Sequence, residues 1–457
     1  MKKIIIGAGV LISGLFSLHA QQSEPCGYDK VIQQLEAQYP GFRNGYDKAY
    51  QNMLKPQMEV SSRKTKVRDT QYFYDTVYTI PVVFHVLYNN ATENIHDSLL
   101  LSQIDVLNRD FRRRNWDTTN TRGVFKSRAG DTKIQFVLAS KTPGGAATNG
   151  IVRKSTSQTT FGSSNGQITD KIKFSSQGGD DVWDPTKYLN IWVGDLYYPG
   201  SGNFLFGYAY PPYGHPNWPS NNWVGNPNQG VVLHYQIVGR NNPLATGTWA
   251  ISFNGRTAVH EVGHFFGLRH IWGDAGFGNQ CSVDDYIDDT PKQGSKSASD
   301  CNKNQNTCFE NSGKDFPDMV ENYMDYSHCT CQNIFTRQQA MVMTNTIKTY
   351  RSSLPIDTTI EIRQRIYDTV EYNDFKIYAD EKNERIGVEL RNAEKGQNLI
   401  FEMYSASGAV VFREQPLLRN ENFFNTTGIA PGLYVAVVRP SAGEKPVLTQ
   451  KIYIHKH

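Results

Sequence analysis

Apolar and polar positions follow a different pattern in each part of this chain. Residues 4–16 are predominantly apolar and follow Lys2 and Lys3. The run is too short to span a bilayer well, and Ala20 suits a cleavage site, so residues 1–20 read as a secretory signal. No later stretch is apolar enough to cross a membrane. Residues 21–76 are polar, with Gln33, Gln34, Glu36 and Gln38 ahead of a basic stretch at 63–68. In the middle of the chain, 80–88 reads as a buried strand, 104–112 as an amphipathic helix and 189–193 as a second strand. Residues 255–259 lead into a helix packed through Val259, Val262, Phe265 and Phe266. Residues 355–374 alternate polar and apolar positions and read as a linker or a first strand. Strand-like segments then recur at 375–378, 386–390, 398–404, 409–412, 433–438 and 451–454, separated by turn residues. This predicts a small all-β sandwich over 375–457.

Composition narrows the class. A chain of 457 residues is longer than one hydrophobic core usually serves, so several domains are expected. The net charge is only +3 and there is no long basic run, which argues against nucleic acid or a membrane surface as partner. Six cysteines in an exported chain allow disulfides.

The chemistry concentrates at 260–270, which fits H-E-x-x-H-x-x-G-x-x-H. On a helix, His260 and His264 project from one face, one turn apart, and both imidazoles can reach one Zn²⁺. Glu261 lies beside the first ligand, placed to take a proton from water. Gly267 lets the chain leave the helix through a left-handed conformation, so that His270 returns as the third ligand. Three protein ligands leave one position open, the catalytic rather than the structural arrangement. A bare H-E-x-x-H arises by chance far more easily than the full pattern with its glycine and third histidine.

Further on stands Glu321-Asn322-Tyr323-Met324-Asp325-Tyr326. The extended histidine motif followed by a methionine turn resembles the metzincin clan of metalloproteases. The order of the strands and helix over 80–193, with Gly255-Arg256-Thr257 before the motif and Asp288-Asp289-Thr290-Pro291 after it, resembles the pappalysin family in its cytophagalysin-like branch, over roughly residues 77–354. The resemblance implies an α/β catalytic domain, with a twisted, mostly parallel sheet over two long helices and an irregular lower part from Leu268 onward. It implies Met324 as an apolar floor beneath the histidines and Tyr326 as a donor to the oxyanion. It also implies that 327–331 lines the primed-side pocket. That stretch has no carboxylate after Asp325, which argues against a strong Arg/Lys preference.

Residues 21–76 stand where a propeptide would, with 63–68 as a candidate cleavage site. Cys26 resembles the zinc-blocking cysteine of several metzincins, with Asp29 as an alternative blocker and a disulfide or idle thiol as the plain reading. Five cysteines fall between 281 and 331. The resemblance suggests Cys281–Cys308 and Cys301–Cys331, leaving Cys329 spare, although Cys329 could replace Cys331. Asp284, Asp285, Asp288 and Asp289, with Thr290, crowd carboxylates that repel unless a cation sits among them. The resemblance implies calcium there, and a solvated acidic loop is the alternative. The C-terminal segments around 405–408 and 429–434 resemble the sorting domain of type IX (Por) secretion cargo. A carbohydrate-binding or adhesive module competes with that reading.

The resulting expectation is a zinc endopeptidase secreted through the periplasm as a latent zymogen. Its partners would be protein or peptide substrates and the type IX machinery. The alternative is a zinc-binding surface adhesin without peptidase activity, and Glu261 discriminates, because a degenerate chain typically loses the base.

Overall fold

The structure, a computed structural model, describes residues 23–54, 77–200, 203–212, 228–247, 252–273, 281–309, 315–356, 375–380, 384–390, 399–405, 408–417, 421–440 and 448–454. The expected signal, the basic stretch at 63–68 and most of the expected linker lie outside these residues. In chain order the first elements are β1 (Ser23–Glu24), α1 (Tyr28–Gln38), α2 (Phe42–Leu54), β2 (Tyr78–Tyr88) and α3 (Asp97–Phe111). They are followed by α4 (Gly123–Lys126), β3 (Ala129–Gly130), β4 (Ile134–Leu138), β5 (Ile151–Ser155), β6 (Leu189–Gly194), β7 (Phe204–Leu205), β8 (Gly207–Ala209) and β9 (Val231–His234). Then come α5 (Arg256–Phe265), β10 (Phe335–Thr336) and α6 (Arg337–Tyr350).

The main sheet has the order β4-β2-β6-β9-β8, with β5 also on β2. Every pairing is parallel except that of β8. A parallel sheet needs both faces covered, and the period-2 alternation of its strands shows how this is met. Val82, Phe84 and Val86 of β2, Ile191 and Val193 of β6, and Val231 and Leu233 of β9 face one apolar cluster. In that cluster they meet Leu100, Ile104 and Leu107 of α3 and Val259 and Val262 of α5. Leu87, Trp192 and Val232, from the same strands, face a second cluster. That second layer is completed by Tyr28, Val31, Ile32 and Leu35 of α1 and by Phe42 and Tyr46 of α2. The polar-looking segment therefore contains two amphipathic helices that cover part of the sheet.

Some boundaries differ from the sequence reading. α3 starts at Asp97, where the His96 ring caps Ser98 N at 3.2 Å, ahead of the apolar periodicity. β4, β5, β8 and β9 have five residues or fewer, too short for periodicity to announce.

The C-terminal part forms two antiparallel sheets. β11 (Phe375–Asp380), β12 (Arg385–Leu390), β13 (Leu399–Ser405), β14 (Val410–Pro416), β15 (Glu421–Asn425), β16 (Gly432–Pro440) and β17 (Leu448–Ile454) assemble as β11-β12-β15 and β14-β13-β16-β17. Ile377, Ile386 and Val388 of one sheet share a buried cluster with Phe401, Met403, Ala436 and Val438 of the other. β15 was not foreseen, because its pattern is mostly exposed and rich in asparagine.

Candidate metal centre and cleft

The placement of α5 begins with a buried cation. Arg256 donates to Asp110 of α3 (3.0 Å) and to both oxygens of Asp117 (2.7 and 2.8 Å). It also donates to the carbonyls of Cys329 (2.6 Å) and Gln332. This ties the first turn of α5 to α3 and to the loop after the methionine turn. At the other end Gly267 adopts φ +91°, and a Cβ there would come 2.8 Å from Thr346 Oγ1. That left-handed turn brings His270 back to the helix.

The three histidines meet at one point. The Nε2 atoms of His260, His264 and His270 lie 3.1, 3.2 and 3.2 Å apart. His260 Nδ1 is 2.7 Å from the Tyr323 carbonyl and His264 Nδ1 is 2.8 Å from that of Leu268. A carbonyl only accepts, so in both rings Nδ1 carries the proton and Nε2 is a bare lone pair. Burial first, then neighbouring His270, pushes His260 down to about 3, and burial and the other two rings hold His264 well below its usual range. Neutral imidazoles with converging lone pairs repel unless a cation lies between them. Zinc–nitrogen bonds of about 2.0–2.1 Å place the nitrogens of a tetrahedral set a little over 3 Å apart, which matches the spacing seen. Among the described residues these three histidines and Cys26 are the one group suited to a metal, their donor atoms all within 4.8 Å of one another.

Met324 lies under α5 with no exposed surface, against Gly263, where a Cβ would come 2.5 Å from its sulfur. Gly263 was not singled out from the sequence, although a glycine inside a helix is itself a signal of close approach. Glu261 is fully buried next to His260. No N–H or O–H among the described residues reaches either carboxylate oxygen, and burial raises its carboxyl to about 8. The Tyr326 hydroxyl is 3.5 Å from the Cys26 carbonyl, and its ring stands edge-on to His270 at 5.0 Å.

The start of segment 23–54 lies at this site. β1 pairs in parallel with β7, and Gly27 N donates to Gly207 O at 2.8 Å. Pro25 stands over a small pocket lined by Ser252, Thr257, His260, Asp325, Ser327 and Cys329. Tyr28 stacks flat on His264, centroids 3.8 Å apart and planes 2° from parallel. Asp29, the alternative blocker, is instead 3.4 Å from His270 Nδ1, the ring nitrogen facing away from the cluster.

Two disulfides, Cys281–Cys308 and Cys301–Cys331, cross the lower part, and Cys26 and Cys329 are free thiols. The expected calcium loop gains no support. The Asp285 carboxylate is fully buried and accepts from Ile287 N (3.0 Å) and the Thr290 hydroxyl (2.9 Å), while Asp289 accepts from Gln338 N in the first turn of α6. Asp284 and Asp288 join no group of donors suited to a metal among the described residues. Asp285 thus serves a turn and Asp289 a helix start.

Comparison with known proteins gives a consistent result. The sequence profile of Peptidase_M43, described as pregnancy-associated plasma protein-A, matches residues 238–348. An extracellular metalloprotease of Arthroderma otae is 27% identical over 274 residues, 60% of this chain and 79% of that one. Among solved structures, mirolysin in complex with a small compound is 40% identical, with a TM-score of 0.51, covering 62% of this chain and 97% of its own. A promirolysin mutant of Tannerella forsythia is 35% identical, with a TM-score of 0.55, covering 72% and 96%.

Proposed function

This chain belongs to the pappalysin family (Peptidase_M43) of metalloproteases, and from that premise we propose that it is a zinc endopeptidase, exported as a latent zymogen, acting on extracellular proteins. The observation that carries the proposal is the convergence of three imidazole Nε2 atoms within 3.1–3.2 Å. His260, His264 and His270 would hold the metal, with the Tyr323 and Leu268 carbonyls fixing two of the rings. A bound zinc ion supplies Lewis acidity, polarising the scissile carbonyl and acidifying water. Glu261 takes the proton of the attacking water and hands it to the leaving amine. Its buried carboxylate, which faces the Cys26 thiol and no N–H or O–H of the described residues, suits a base that meets its water once that thiol has left. Tyr326 donates to the developing oxyanion once the Cys26 carbonyl has left. The stretch after Met324 forms the primed-side pocket, where Cys329 offers a neutral thiol, its pKa raised by burial to about 11.

Latency rests on residues 21–76, with Cys26 as the blocking ligand and a cut near 63–68 as the release; residues 77–354 form the catalytic domain. The relatives named as extracellular support secretion. In this reading residues 1–20 direct the chain to the periplasm and the sandwich at 375–457 presents it to the type IX machinery.

The test is cleavage of casein by the processed form, with and without phenanthroline. Cleavage that stops with the chelator and returns with zinc supports the proposal. Cleavage indifferent to the chelator removes it.

A further inference from the structure

Segment 23–54 is held to the rest of the molecule along both of its helices. Tyr28, Leu35, Phe42, Tyr46, Tyr50 and Met53 are each at most 4% exposed. The first four join the apolar layer of Trp192 and Tyr208, while Tyr50 and Met53 join the other cluster, which holds Val259 and Val262 of α5. Polar ties are spread in the same way. In α1, Gln34 donates to the Ile168 carbonyl and accepts from the Ile168 N–H, at 2.9 Å each, and Lys30 donates to Gly166 O at 2.6 Å. In α2, Asp47 pairs with Arg269 at 2.7 Å, and that guanidinium lies 4.5 Å from the Tyr46 ring and 4.3 Å from the Tyr50 ring. Near the end of α2, Asn345 of α6 donates to Met53 O at 2.8 Å.

The proposed cut at 63–68 touches none of these contacts. Hydrolysis there breaks one peptide bond, with water giving its oxygen to the new carboxyl end and a proton to the new amine. What the cut removes is the tether, and a short flexible tether acts like a partner present at roughly millimolar concentration. A segment that buries two apolar helix faces, ringed by hydrogen bonds, has the anatomy of a stable protein–protein interface. Such interfaces hold at concentrations far below millimolar.

We propose that the face of the catalytic part covered by α1 and α2 is a docking surface for the severed segment itself, so that the cut chain stays an inhibited two-chain complex. In that complex Cys26 and Tyr28 remain at the histidines. The cut makes release possible without producing it. Release then follows mass action, and comes when export dilutes the complex below its dissociation constant. The inference rests on the metalloprotease reading and adds a second step to its activation.

The test uses full-length chain carrying the recognition site of an added, specific protease at 63–68, in wild type for activity and in Glu261→Ala for binding. After the cut, the segment is expected to co-elute with the catalytic part on a sizing column at about micromolar concentration, and to part from it in denaturant. Casein cleavage per molecule of cut wild type should rise at least about tenfold on dilution from about micromolar to about nanomolar. A peptide of residues 21–54, added at about 1 µM to enzyme washed free of its segment, should lower activity at least about tenfold, as a dissociation constant near 0.1 µM or below requires. Cys26→Ala in that peptide should leave inhibition in place, because both helix faces persist, and Tyr50→Ala should weaken it at least about tenfold. Loss of the segment from the catalytic peak directly after the cut overturns the inference. So does activity that is full at once and indifferent to dilution, or a peptide without effect at about 10 µM. Co-elution requires no activity, so it decides the inference even where zinc-loaded, segment-free chain cleaves no casein, the separate result that sinks the metalloprotease reading.

Discussion

Met324 lies so close beneath Gly263 that a single added methyl group would come within 2.5 Å of its sulfur. Gly263→Ala therefore forces either the methionine or the ligand-bearing helix to move. Overpacking of this kind costs about 1–3 kcal/mol, while alanine returns up to about 1 kcal/mol of helix propensity over glycine. The net expectation is a loss of about 1–2 kcal/mol, with weaker metal binding because His260 and His264 flank the site. Denaturant unfolding and metal titration check both. An unchanged metal affinity would mean that Met324 yields freely and is no floor.

Arg256 faces Asp110 and Asp117 with all three side chains buried. Arg256→Ala leaves two buried carboxylates without their cation, a change expected to cost about 3–5 kcal/mol. Arg256→Lys should rescue little, because one ammonium cannot span two carboxylates and two carbonyls. Urea unfolding with an unchanged m-value measures this, and a loss below about 1 kcal/mol for Arg256→Ala would contradict it.

Cys26 shares the histidine site and Tyr28 covers one of its rings. Cys26→Ala is expected to shorten the life of the latent chain, seen on gels as earlier loss of the N-terminal segment. An equally stable zymogen would assign latency to α1 and α2 alone.

The same burial governs metal loss. A chelator should strip zinc more slowly from the latent chain than from the processed form, by at least about tenfold, and Cys26→Ala should narrow that gap. Release followed with a colorimetric zinc indicator reads this directly. Equal rates in both forms would show that segment 23–54 does not close the site.

Asp195, just past β6, offers a pH test away from the metal. Burial raises its carboxyl from 3.8 to about 6, against the donation of Tyr197 N, which lowers it. The folded chain thus holds this proton more tightly than the unfolded chain. The stabilisation is fully present below pH 3.8 and is lost as pH rises through about 6, amounting to something on the order of 3 kcal/mol. Asp195→Asn should remove that slope. Unfolding of both chains between pH 4 and 7, in a Glu261→Ala background to prevent self-digestion, compares them. Parallel profiles would reject the assignment.

Much of the site was legible because its residues are few and closely spaced. His260, Glu261, His264, Gly267 and His270 lie within one helix and its reversal, so helical geometry alone brings the rings together. Cys26 reaches them across more than two hundred positions, and only its residue type marked it. The two helices of the N-terminal segment were missed because their buried residues, Val31, Ile32 and Leu35 in one and Phe42, Tyr46, Tyr50 and Met53 in the other, stand among glutamines, lysines and asparagines, so that the segment reads as polar composition rather than as a buried stripe. For the same reason Tyr28 on His264 and Arg269 between Tyr46 and Tyr50 had no signature: each contact joins side chains whose spacing follows no local period. The acidic run at 284–289 was hard to read because crowded carboxylates look alike in sequence whether they bind an ion or cap turns. Asp285 itself accepts from a turn, through Ile287 N and the Thr290 hydroxyl.

The side chains of 28–46 belong to the same apolar layer as Trp192, Tyr208 and Val232. On the proposed function, maturation then has a required order. A cut delivered while the chain is still threading or half folded would release the helices before the sheet had consolidated, leaving a face of aromatic side chains open to water and to other copies. The segment proposed to silence the enzyme is also part of the material from which it is assembled, so on that proposal the protease that removes it acts on a finished fold.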